Sequence, residues 1–165
     1  MRFTIHQDST SLRSTDGDTG SVVWRSSLRL GACLARQVLH KPPYGHPSLL
    51  NKNRLAGVKV LELGSGTGVL STLLVPLFDH LGPLMWIASD HEEILSLLRK
   101  NTSHVAKGLS SIVEARAVDW NTVSDLQKTP STYSGGLDSY RARVLSVGGD
   151  AGFPDLIVAV DCVFK

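Results

Sequence analysis

At 165 residues the chain has room for one domain with one sizeable core, which excludes a multidomain machine. With 42% hydrophobic and 19% charged residues it can bury enough apolar surface to fold, which excludes global disorder. Seventeen Lys and Arg against fifteen Asp and Glu leave a formal charge of +2, too small a surplus for electrostatic capture of nucleic acid or an anionic membrane.

Residues 1–18 read as a polar N-terminal extension, and the body of the domain is expected over 19–165. Residues 1–21 lack a basic start followed by an apolar block, so no secretory signal is expected. Over 26–39 the apolar residues recur at three- and four-residue steps, which predicts a helix, and Pro42, Pro43 and Pro47 forbid its continuation. Residues 58–63 form a short aliphatic run that meets glycines at once, as a buried parallel strand does. A buried helix follows over 69–81, with Pro76 expected to kink it or end it early. Residues 84–90 read as a second strand, 91–107 as a helix and 112–118 as a third strand. Residues 121–152 are rich in Ser, Thr, Gly and Asp and read as a long loop, of a length that points to an insertion or to an unrecognised short helix. The last strand spans 155–160.

Strands alternating with helices predict an α/β fold with a mainly parallel sheet, helices on both faces, and a ligand crevice at the carboxyl ends of the strands. Each strand ends in polar or glycine residues: Glu62 with Gly64, Asp90, Asp119 with Trp120, and Asp161. Cys33 and Cys162 lie in apolar runs without the spacing of a disulfide framework or a zinc site, so no metal is expected and a reducing compartment, cytosolic or nuclear, is the default. No apolar stretch approaches the roughly 20 residues needed to span a bilayer, so no membrane partner is expected.

Three glycines at alternate positions, Gly64, Gly66 and Gly68, stand between a strand and a helix, where backbone can approach a ligand without side chains intervening. A plain tight turn or another nucleotide-binding loop has a similar composition. Asp90, at the end of the second strand, is placed to accept hydrogen bonds from both hydroxyls of a ribose, or to cap the following helix, and the two roles are compatible. Trp120 offers an aromatic face at a strand mouth or packs in the core. Trp24 precedes the first helix and could staple it to the sheet. Trp86 is assigned to the core, and His91 and His104 to the surface.

Together, Val60-Leu-Glu-Leu-Gly-Ser-Gly-Thr-Gly68, Asp90, Asp119-Trp120 and Asp161-Cys-Val-Phe164 resemble the seven-strand S-adenosylmethionine-dependent methyltransferases, with their Rossmann-like fold. Thr19-Gly-Ser-Val-Val-Trp-Arg-Ser-Ser-Leu28 resembles the signature of the protein-lysine methyltransferases that modify heat-shock chaperones, valosin-containing protein and a fungal ribosomal protein, the last branch being the most similar. The resemblance implies S-adenosylmethionine as cofactor and a lysine of a ribosomal protein or chaperone as substrate. It implies that Trp24, Gly64, Ser65 and Gly66 contact the methionine end of the cofactor, Asp90 the ribose and Trp120 the adenine region, and that Val160 lines the same pocket. Glu62 would reach the methionine amino group through water. Asp161 would border the target-lysine channel as the catalytic residue, holding and orienting the amine, and Phe164 stands where the family has a tyrosine.

Family members continue past this element with three more strands, so the resemblance implies a C-terminally incomplete domain whose last strand exposes an apolar edge. Two other readings compete with a lysine methyltransferase. One is a methyltransferase acting on a small molecule or nucleic acid; the other is a catalytically silent, cofactor-binding fragment.

Overall fold

The structure, a computed structural model, describes residues 3–10, 19–40, 48–128, 136–146 and 152–160. Helix α1 spans Arg25–Leu39, after Trp24 in extended backbone, and presents Leu34 and Gly31 inward. A Cβ at Gly31 would lie 2.7 Å from the Leu73 side chain, so the glycine lets α1 pack close on the next helix. Strand β1 spans Lys59–Leu63 and is followed by helix α2, Val69–Asp79. Pro76 does not end α2, which continues for three residues beyond it, because Leu74, Val75 and Phe78 on both sides are fully buried and hold the turn in place.

Strand β2 spans Met85–Asp90. The helix expected over 91–107 is a short 3-10 turn, Glu92–Ile94, followed by helix α3, Leu95–Thr102. Strand β3 spans Ile112–Ala117. The stretch expected as a long loop instead carries helix α4, Trp120–Lys128, and helix α5, Gly136–Leu145. Tyr140, Val144 and Leu145 are buried by the sheet, and this tertiary contact supports a helix whose own apolar pattern is sparse. Strand β4 spans Leu156–Ala159.

The four strands are parallel in the order β3-β2-β1-β4. Alternation along β1 divides the core in two. Val60 faces the layer that includes Leu70, Leu74 and Phe78 of α2 and Leu98 of α3. Leu61 faces Ile87, Val118, Tyr140 and Val144 on the opposite side. The chain leaves β1 toward β2 on one side and later returns to pair β4 on the other, so the topological switch point lies between β1 and β4, at their carboxyl ends. This is an α/β, Rossmann-like architecture. No described helix is long and apolar enough to cross a membrane.

A buried polar side chain ties the end of α5 to the segment leading into β4. Lys59 is 1% exposed, and its Nζ donates to the carbonyl of Gly152 at 3.0 Å and that of Leu145, at the end of α5, at 3.4 Å.

Candidate functional site

The turn from β1 to α2 puts Gly64, Gly66 and Gly68 at φ of 61°, 52° and 75°, the left-handed region that favours glycine. Its backbone is tied down from several sides. The Ser65 N–H donates to the Ser89 carbonyl at 2.9 Å, and the Gly68 N–H donates to the Ser65 carbonyl at 2.8 Å. The Ser65 side chain is buried and turns inward, its hydroxyl reaching the Glu62 carbonyl at 3.3 Å. Gly64, by contrast, is exposed.

Asp90 reaches this turn from the end of β2. Its Oδ2 accepts from the Gly66 N–H at 2.6 Å and its Oδ1 from the His91 N–H at 2.7 Å. The second bond goes to the adjacent residue and is not a cap bond, since the capping position of the following 3-10 turn is His91; the first links two strand ends. Residues 19–24 fold over the same turn: a Cβ at Gly66 would meet the Gly20 carbonyl oxygen at 2.9 Å. Trp24 donates its indole N–H to the Thr19 carbonyl at 2.6 Å and is 44% exposed, so it closes the 19–24 turn and does not staple α1 to the sheet. Val160 follows β4 directly, and the Leu63–Ala159 pairing sets it beside Gly64.

Glu62 lies beneath the turn. It is 3% exposed, and its Oε2 accepts from the Trp86 indole N–H at 2.8 Å. Burial pushes its pKa up to about 8, although hydrogen bonds from Trp86 and Ser65 act in the opposite direction. The carboxyl is therefore protonated at neutral pH. Trp86 is a core residue as expected, with the added task of satisfying this acid.

On the opposite face of the sheet an apolar cavity of about 490 Å³ opens between α5 and the ends of β1 and β3, lined by Leu61, Leu63, Val118, Val123, Tyr140 and Val144 among others. His91 and His104 are exposed, as expected. Asp161 and Phe164 lie outside the described residues, as does the side chain of Trp120, whose backbone opens α4.

Asn101 was not singled out from the sequence. This side chain is 5% exposed in the last turn of α3 and donates to the Thr67 carbonyl of the glycine turn at 2.8 Å. The signal that could have found it is an amide on an otherwise apolar stripe, three residues past Leu98.

Residues 6–133 match the lysine methyltransferase family, over more than half of the chain. The chain belongs to that family. A curated relative, the diaminohydroxyphosphoribosylamino-pyrimidine deaminase of Schizosaccharomyces pombe, is 29% identical over 119 residues. The alignment takes in 72% of this family member and 25% of that relative, so the chain spans about a quarter of the relative's length. Among solved structures, a provisionally named O-methyltransferase from Klebsiella pneumoniae is 14% identical, with 66% of this chain and 49% of that chain covered at a TM-score of 0.30.

Proposed function

We propose that the chain binds S-adenosylmethionine at the ends of β1 and β2 and transfers its methyl group to a lysine side chain of a protein. The observation that carries the reading is the bond from the Gly66 N–H to Asp90, which fixes side-chain-free backbone and an acid at adjoining strand ends, within a chain of the lysine methyltransferase family. The residues present fit such a cofactor. Exposed backbone at Gly64 admits the methionine end, Asp90 accepts from the ribose hydroxyls, and the apolar cavity beside Val118 suits an adenine ring.

When bound, the cofactor supplies an electrophilic methyl group on a sulfonium. The protein's own task is to position a neutral amine in line with it and to exclude water. A free lysine has a pKa of about 10.4 and is mostly protonated at neutral pH. Asp161, one residue beyond Val160, is assigned the holding and orienting of that amine, and Trp24 the closing of the methionine end. A cytosolic ribosomal protein is the proposed substrate, on the resemblance of residues 19–28 alone.

Calorimetry on the purified chain tests the cofactor. Asp90→Ala removes acceptors for the ribose and also frees the Gly66 amide, so affinity is expected to fall by about 1.5–3 kcal/mol, roughly 10- to 150-fold. Unchanged affinity in that variant would remove the ribose assignment. Methyl incorporation into lysine-containing proteins, and its absence when those lysines are replaced by arginine, tests the substrate class.

A further inference from the structure

Residues 3–10 cross the outer side of α2 and α3 as an extended strap whose hold on the body is polar. Phe3 is 39% exposed, and beneath the strap lies a cavity of about 300 Å³ against Thr72, Pro76 and His104. Burial of apolar surface therefore contributes little to its position. The bonds are made instead by Asn101, whose Oδ1 accepts from the His6 N–H at 2.8 Å while its Nδ2 donates to the His6 carbonyl at 2.9 Å. The side chain thus pairs with residue 6 in both directions, as a neighbouring strand would. Its other N–H goes to the Thr67 carbonyl of the glycine turn.

The strap also bonds to residues 19–24. The Asp8 N–H donates to the Ser21 carbonyl at 2.9 Å, and the Gln7 side chain accepts from the Val23 N–H at 2.9 Å. Gly20 in turn rests on Gly66. A closed circuit results: Asn101 grips the glycine turn directly at Thr67 and, through the strap, grips the segment that covers the same turn and ends at Trp24. Asp90 holds the neighbouring peptide at Gly66. The match to the family begins at residue 6, the residue that Asn101 pairs with.

We propose that Asn101 is a positioning residue that locks the strap, residues 19–24 and the glycine turn into one unit, and that this unit sets the affinity for S-adenosylmethionine. The inference rests on the reading of the site given above. An asparagine is required because the task needs one acceptor and two donors on a short side chain. Aspartate has the same shape and no donor, and it sets a charge against two carbonyl oxygens. Preordering of a binding loop removes the cost of ordering it when the ligand arrives, so loosening it lowers affinity without touching the ligand.

The test compares the unaltered chain with Asn101→Asp and with Gln7→Ala, which cuts the strap from Val23 at an exposed position and leaves the core intact. Amide hydrogen exchange reads the coupling, and calorimetry with S-adenosylmethionine reads its consequence. Asn101→Asp is expected to speed exchange at residues 6–8, 21–23 and 66–68 while β1 and β2 stay protected, and to weaken binding at least about tenfold. Gln7→Ala is expected to speed exchange at residues 21–23 and weaken binding by a smaller factor of roughly two to five. Unchanged exchange at the glycine turn in Asn101→Asp, or faster exchange in both variants with unchanged affinity, overturns the proposal. Failure of the unaltered chain to bind S-adenosylmethionine is a different result: it overturns the reading of the site, and with it the part of this inference that concerns affinity.

Discussion

Replacing Glu62 with glutamine is expected to remove most of the pH dependence of stability between about pH 5 and pH 8.5 and to leave the variant more stable than the parent at the upper end. The carboxyl has an ordinary value of 4.5 and is raised to about 8 in the folded chain, chiefly by burial. A raised acid binds its proton more tightly when folded than when unfolded, so stability falls as pH rises through the interval between the two values. Below the lower value the folded state suffers no penalty from this group; above the upper value the penalty is complete. With about 1.4 kcal/mol per pKa unit, the loss is on the order of a few kcal/mol.

Glutamine keeps the shape and an oxygen to accept from the Trp86 indole, and carries no charge at any pH. Urea unfolding of both chains at pH 5 and pH 8.5 measures the difference. Parallel losses in the two chains would show that Glu62 is not the buried proton carrier. Asp79 does not confuse the measurement, because its pKa is lowered from 3.8 by hydrogen bonds, first from the Ser111 hydroxyl. Its stabilisation is present above that ordinary value and is lost only as pH falls below it, outside the interval tested.

Lys59→Met is expected to destabilise the fold by about 1–3 kcal/mol and to loosen α5 selectively. Methionine nearly conserves the volume and carries no donor. The Leu145 carbonyl, buried at the end of α5, would lose the Nζ donor, and the negative end of the α5 dipole would lose its counterpart. Exchanging a buried ion pair for apolar residues is often harmless because both partners leave together; the Leu145 carbonyl is backbone and remains. Denaturant unfolding gives the global loss, and hydrogen exchange along residues 136–145 locates it. A variant as stable as the parent, with α5 equally protected, would show that the carbonyl finds another donor.

These two side chains show where sequence reading stops. Residues 58–63 announce a buried strand by their aliphatic pattern, and β1 is that strand; but Lys59 and Glu62 inside it are polar residues whose partners lie 86 and 24 positions away. Periodicity reports that a face is buried and not what meets it. The glycine turn and Asp90 were legible for the opposite reason, since their meaning depends on local backbone: alternate glycines after a strand, and an acid at the end of the next.

By itself, then, the sequence determined the order of strands and helices through the first three strands, the last strand, the parallel α/β architecture and the resemblance to lysine methyltransferases that the family match bears out, because each depends on local spacing and pattern. Only the tertiary structure decided the rest. Helix α5 stands where a loop was expected because the sheet buries Tyr140 and Val144, and Val123 of α4 packs against the same cluster; α2 ran through Pro76 because Leu74, Val75 and Phe78 are fully enclosed. Asn101 became the link between strap and glycine turn because folding brings His6 and Thr67, 95 and 34 residues away, within reach of one amide. Contacts at such separations leave no periodic trace along the chain, since they are fixed by how the layers pack and not by the residues that flank them.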